Sequence, residues 1–165
     1  MKKGIIIAGF ATIGKTFLSK KHENIIDLES SRFKYDYSNY DNIDYEKLKG
    51  TSSRVPNKDW PYNYYKAIKE AQKQFDVIFV QLSPIHLKYF DENNIEYYIV
   101  YPSLDSWELV KQRSIARGNN EKWIIRLKEV FEEYYIVSKN SKCKKMFLVS
   151  EQTSLESVLK ENKFI

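Results

Sequence analysis

Five short apolar runs mark the chain, at 4–8, 24–27, 76–81, 96–101 and 146–149. Runs of this length predict strands, and longer helical stretches lie between them, at about 15–21, 62–74, 85–92, 105–117, 121–138 and 153–162. That alternation predicts an α/β domain around a short, mostly parallel five-stranded sheet flanked by helices. The boundaries carry their own signals. Asp105, with Glu108 three positions on, reads as a variant capping box, and Gly118 as the stop of the same helix. Asp59-Trp60-Pro61 punctuates the start of the helix near Tyr62. With no internal repeat and no linker-like stretch, residues 1–165 read as one domain, long enough for a core without staples. One stretch breaks the rhythm. Residues 32–60 form a long polar insertion, rich in Tyr, Asp and Asn, that leaves from the end of the second strand. A loop that long in a small domain is usually functional, and ligands of open α/β sheets lie over the C-terminal ends of strands.

The first strand runs into Gly9-Phe10-Ala11-Thr12-Ile13-Gly14-Lys15-Thr16, which fills every fixed position of the pattern G-x-x-x-x-G-K-[ST]. A strand before it and a helix after it are the context that this pattern needs. In such a turn the successive backbone N–H groups, here those of Ala11, Thr12, Ile13 and Gly14 among them, point inward at phosphate oxygens, and the helix end adds positive charge. Lys15 would reach the β- and γ-phosphates and Thr16 would bind Mg²⁺. Gly9 and Gly14 supply backbone freedom where a Cβ would clash. A chance match in a chain this long is expected well under ~1% of the time at average composition, so a nucleotide-binding loop is the expectation. Met1-Lys2-Lys3 and the apolar stretch after it also look like the start of a secretory leader. No small-residue cleavage site follows, and Lys15, Lys20 and Lys21 stand where one belongs.

Chemistry beyond the loop concentrates in three places. The second strand ends in Asp27-Leu28-Glu29, two carboxylates that project in the same general direction. One can help hold Mg²⁺, which makes Asp27 a candidate ligand beside Thr16, while the other accepts the proton of an attacking hydroxyl. If the acceptor is a phosphate, no base is needed and both would position metal or substrate. Arg113 and Arg117 share a helix face, and Gly118-Asn119-Asn120 links that helix to the next. The stretch at about 113–122 therefore suits a lid whose guanidinium groups close over a transferring phosphoryl group. Arg126 is a weaker third candidate. Arg32 and Arg54 flank the insertion and are candidates to hold an acceptor's phosphate or carboxylate, and Tyr35, Tyr37 and Tyr40 to stack on a base. Each feature also has a plain structural reading: a solvated strand end, a solvated helix face, or surface packing. His22 and His86 suggest no metal set and read as structural.

Bulk properties narrow the rest. The net charge of +5 and a pI near 9.0 allow an anionic partner without choosing between nucleotide and nucleic acid. Cys143 is the sole cysteine and cannot form an internal disulfide, which suits a reducing cytoplasm. No apolar run approaches the ~18 residues needed to cross a membrane. The 13 tyrosines read mostly as half-buried packing residues. Two absences also count. The third strand ends in Gln81 where motor-type ATPases carry an acid, and Asn57-Lys58-Asp59-Trp60 lacks the final Asp of a guanine-specifying N-K-x-D signal.

Through Gly9, Gly14, Lys15 and Thr16 the chain resembles the small-molecule and nucleoside monophosphate kinases among P-loop proteins. Asp27-Leu28-Glu29 is similar to the D-x-D that shikimate and gluconate kinases place after the second strand, with Glu for the second Asp. The chain is also similar over most of its length to phage and Gram-positive P-loop proteins labelled adenylate or nucleotide kinases, through 27–33, 57–64, 101–103 and 113–118. The resemblance implies a three-layer P-loop NTPase fold, with an acceptor-binding segment at 32–60 and an arginine-bearing lid late in the chain. The implied activity is an ATP- and Mg²⁺-dependent transfer of the γ-phosphoryl group to a small acceptor, a nucleoside or nucleoside monophosphate. The alternatives are a 5′-hydroxyl polynucleotide kinase and a non-catalytic nucleotide-binding regulatory protein.

Overall fold

Apolar runs with no polar alternation have no face to give to water, so they pair side by side under helices. The computed structural model describes residues 3–48 and 54–165. Residues 1, 2 and 49–53 lie outside the described residues; they include the start of the leader-like stretch and the middle of the predicted insertion. In chain order the elements are β1 (Ile5–Gly9), α1 (Lys15–Lys21), β2 (Ile25–Leu28), α2 (Ser31–Lys34), β3 (Tyr35–Asp36), α3 (Tyr45–Leu48) and β4 (Val55–Pro56). Then come α4 (Tyr62–Ala71), β5 (Val77–Gln81), α5 (Pro84–Glu92), β6 (Tyr98–Pro102), a 3-10 turn (Leu104–Ser106) and α6 (Trp107–Ala116). The chain closes with α7 (Glu121–Asn140), β7 (Met146–Val149) and α8 (Leu155–Glu161).

The five predicted strands form one sheet in the order β2-β5-β1-β6-β7, every neighbouring pair parallel. Its three inner strands carry the core: Ile6, Ile7, Val77 to Val80, and Ile99 to Tyr101 are all buried. Each such side chain contributes about 1.5–3 kcal/mol by leaving water, which outweighs any local propensity in these short runs. Gly4 is fixed by packing. A Cβ there would run into the Phe75 carbonyl, and its backbone exchanges bonds with Gln72, whose Nε2 donates to Gly4 O at 2.7 Å.

Two expectations change. The helix expected at 105–117 starts at Trp107 after a 3-10 turn, and its N-cap is Ser106, with no side-chain cap bond. Ser103 and Ser106 bond to each other at 2.6 Å instead, so the Asp105–Glu108 capping box does not form. Gly118 does stop the chain there, at φ +82°. The described part of the insertion is also no open loop. It holds α2, α3 and an antiparallel ribbon of β3 with β4, closed internally where Asn57 N donates to Lys34 O and tied to α4 where Asn63 Nδ2 donates to Phe33 O.

In this strand order the connection from β1 leads toward β2 on one side, whereas that from its neighbour β6 leads toward β7 on the other. A crevice opens above the C-terminal end of the central strand. Phe10 N donates to Val100 O and Leu82 N to Gly9 O, both at 3.3 Å, which anchors the start of the loop after β1 to both neighbours.

Candidate functional site

A cleft of about 1160 Å³ lies over that crevice. Its floor is the loop from Gly9 to Thr16, held in its shape by two left-handed residues, Thr12 at φ 67° and Gly14 at φ +102°. Gly14 meets the need for positive φ at no steric cost. Gly9 serves differently: a Cβ there would come within 2.7 Å of Ile13 Cδ1 and 3.0 Å of Lys15 Cδ, so its bareness lets the Lys15 stem fold back over the loop. The backbone N–H groups of Gly14, Lys15 and Thr16 donate to no acceptor among the described residues. Backbone donors of this kind seek a partner, and these three residues in a row line the cleft. Thr12 Oγ1 is a further buried polar atom with no hydrogen bond among the described residues.

Lys15 Nζ donates to the carbonyls of Gly9 at 3.0 Å and Phe10 at 2.8 Å. Burial pushes its ammonium down to about 8; nearby Asp27 and Glu29 oppose that shift and Arg117 adds to it. The end of β2 and the end of α6 thus bring three charges within electrostatic reach of one nitrogen. Thr16, one residue on, donates from Oγ1 to Asp27 Oδ2 at 2.8 Å. The loop's hydroxyl and the first acid of β2 are already joined.

The acids hold their place through a residue that the sequence does not single out. Tyr64, on α4 and fully buried, donates from its hydroxyl to Leu28 O at 2.9 Å and accepts from Gln81 N at 3.0 Å. It bridges the ends of β2 and β5 just where the Leu28–Val80 pairing ends. Burial raises its pKa, so the phenol keeps its proton and its donor role. Trp60 stacks on the ring at 5.6 Å and Phe33 tilts against it at 5.3 Å. Beneath lies His86, also buried, its Nδ1 3.0 Å from Tyr65 Oη and its pKa pushed down by burial and then by Lys34 to about 4. His86 is thus a neutral packing residue, and His22 lies 3.6 Å from Glu156 outside the loop.

The far wall comes from α6 and α7. Arg113 reaches back across the cleft and its Nη1 donates to Thr12 O at 3.2 Å, while Arg117 and Arg126 line the same wall with Trp123 and Tyr134. Asn120 caps α7, its side chain accepting from Trp123 N, so the 118–120 link is closed by a helix start. The structure therefore gathers Gly9, Ala11, Thr12, Ile13, Gly14, Lys15, Thr16, Asp27, Glu29, Arg113 and Arg117 around one cleft.

Arg32 and Arg54 are elsewhere. Arg32 lies over the Tyr45 ring at 4.8 Å and Arg54 over Tyr35 at 4.0 Å, and no described residue of 32–60 lines the cleft. The expected acceptor-binding insertion instead packs on itself: Tyr37 sits edge-on to Tyr45 at 5.0 Å and tilted against Tyr40. A guanidinium stacked on a ring satisfies its charge locally, which sequence spacing does not register.

Among the described residues no group of three or more His, Cys, Asp or Glu side chains could hold a metal ion, and no helix is long and apolar enough to cross a membrane. Magnesium needs no such group. It keeps several waters and takes one or two carboxylates plus phosphate oxygens, so a hydroxyl bonded to one carboxylate, as in Thr16–Asp27, fits it. No protein-family model matches the chain, and no curated protein sequence matches it.

Proposed function

We propose that the chain is a P-loop phosphotransferase that moves the γ-phosphoryl group of ATP, with Mg²⁺, to a small acceptor, a nucleoside or nucleoside monophosphate. The observation that carries the proposal is the Thr16–Asp27 bond at 2.8 Å beside the buried Lys15. It joins the G-x-x-x-x-G-K-[ST] loop to an acid from another strand at the crevice of a parallel sheet, as a phosphate-plus-metal site requires. Thr16 and Asp27 would hold the ion, which when bound neutralises phosphate charge. The N–H groups of 14–16 cradle phosphate oxygens. Lys15 balances charge on the transferring group, and its depressed pKa records how much an anion there would relieve. Arg113 and Arg117 cover that group from above, and Asp27 and Glu29 position metal or acceptor.

The cleft has room for two small substrates. A volume of about 1160 Å³ lies above the ~300–1,000 Å³ typical of a pocket for one small ligand. A screen for ADP release against nucleosides, nucleoside monophosphates, shikimate-like acids and a 5′-hydroxyl oligonucleotide tests the proposal. At least one small acceptor is expected to stimulate release well above the acceptor-free rate. Tight ATP binding with no stimulation by any of them would contradict it in favour of a regulatory nucleotide binder.

A further inference from the structure

We infer that the acceptor is a small uncharged hydroxyl compound, of nucleoside or sugar-alcohol type, and not a nucleotide or other phosphate. The inference rests on the phosphotransferase reading and deepens it. It follows from how charge is divided around the cleft. The cations lining it belong to the loop and the two late helices: Lys15 and Lys20 on α1, Arg113 and Arg117 at the end of α6, and Arg126 on α7. Beside Leu28 and Leu82, the ends of β2 and β5 bring acids, hydroxyls and an amide, from Asp27, Glu29, Ser30, Ser31 and Gln81.

Among the described residues no cation joins that second group in lining the cleft. The insertion's arginines, which follow it in sequence, are turned onto the rings of Tyr45 and Tyr35. A phosphate brought to this end would set its charge beside the Glu29 carboxylate, with no cation of that group to offset it. Like charges in a site partly shielded from water cost several-fold to a hundredfold or more in affinity, on the order of the penalties seen at mismatched interfaces. Neutral hydroxyl groups meet the opposite reception, since carboxylates, serines and a glutamine offer both acceptors and donors to them.

Acids here also have work that only a hydroxyl acceptor needs. A hydroxyl is a poor nucleophile until its proton has somewhere to go. Asp27 is engaged by Thr16, whereas Glu29 forms no ion pair among the described residues and lies within electrostatic reach of Lys15. In the step so assigned, a lone pair of the acceptor oxygen forms a bond to the γ-phosphorus. The bond from that phosphorus to the β–γ bridging oxygen breaks, and ADP leaves with its electron pair. The hydroxyl proton passes to the Glu29 carboxylate and then to solvent, leaving a phosphomonoester.

The test compares the common nucleosides and simple sugar alcohols with their own monophosphates and with a 5′-hydroxyl oligonucleotide. ADP release is read alongside calorimetric binding in the presence of Mg²⁺ and a non-hydrolysable ATP analogue. A nucleoside or sugar alcohol is expected to give kcat/KM at least ~100-fold above that of its monophosphate, with no turnover of the oligonucleotide. Glu29→Gln should lower kcat about 10²- to 10⁴-fold and leave ATP affinity unchanged. Preference for a monophosphate or the oligonucleotide would overturn the inference while leaving the phosphotransferase reading intact. So would full activity of Glu29→Gln. If the ATP analogue binds while neither class of acceptor binds or reacts, both readings fall together.

Discussion

The two walls of the cleft are built by opposite means. The loop wall is backbone: left-handed turns at Thr12 and Gly14, the N–H groups of 14–16 with no acceptor among the described residues, and one lysine bent back over a bare Gly9. Its turns and donors lie within eight residues, and Leu82, Val100 and Arg113 only anchor it. The acid wall is two strand ends, Asp27 to Ser31 and Gln81, bridged past their last pairing by the Tyr64 hydroxyl bonded to both. Its keystone is 36 residues from Leu28 in sequence. Local geometry thus makes one wall and tertiary packing makes the other, so the two should fail differently when broken.

Lys15→Ala is the sharpest way to break the loop wall. Turnover should fall about 10³-fold, the scale of removing one charge-stabilising group from a transition state. Stability should not fall with it. In the folded chain the Lys15 pKa is depressed to about 8 from the ordinary 10.5, so any stability from this group is present only above about 10.5 and is lost as pH drops through 8. At neutral pH the fold carries a charge it would be better without. Thermal melting of the variant at pH 7 at or above the wild-type midpoint checks this; a large drop would mean that Lys15 is structural.

Tyr64→Phe is the matching break in the acid wall. The ring and its stacking on Trp60 survive, but Leu28 O and Gln81 N lose their shared partner. Denaturant titration should show a loss of about 1–3 kcal/mol, the cost of buried groups left unpaired. Because Asp27 and Glu29 then lose their fixed direction, kcat should drop about tenfold, a smaller loss than from removing a catalytic group, while ATP affinity holds. Equal losses in both would erase the distinction between the walls.

That distinction also explains what was legible in the sequence. The eight-residue loop pattern, the five apolar runs and the Gly118 stop could all be read from neighbours along the chain, and the structure keeps them. Arg32 and Arg54 could not, because whether an arginine faces a cleft or a tyrosine ring depends on residues far away in the chain. Tyr64 was invisible for the same reason: nothing in Tyr62-Asn63-Tyr64-Tyr65 says which hydroxyl will meet two strand ends. The capping box at Asp105 was plausible locally and lost to the Ser103–Ser106 pair.

Under the acid wall, His86 supplies a milder perturbation. Its folded pKa of about 4 lies below the ordinary 6.5, so the stability it contributes is full above about 6.5 and is lost as pH falls through 4. Chemical denaturation should lose about 2 kcal/mol between pH 7 and pH 5 in excess of a His86→Asn variant, and about 3 kcal/mol once pH is below 4. Parallel curves for the two proteins would show that His86 does not titrate in this window. The smallest effect belongs to the insertion. Replacing Arg32 and Arg54 together by alanine should change turnover less than about twofold and stability by about 1 kcal/mol, the worth of two exposed ring contacts. A large rise in KM for the acceptor would return those arginines to the site.

The account stands on Lys15 and the loop as an anion-binding wall, and calorimetric titration of Mg·ATP from pH 6.5 to 9.5 tests that most directly. Bound phosphate raises the Lys15 pKa, so binding takes up a proton above about 8; affinity should be flat below that pH and fall about tenfold per unit above it. Arg117→Ala, by removing a neighbouring positive charge, should move the break to higher pH. No binding of Mg·ATP by the wild-type protein, or an affinity independent of pH and unchanged in Lys15→Ala, would contradict the account.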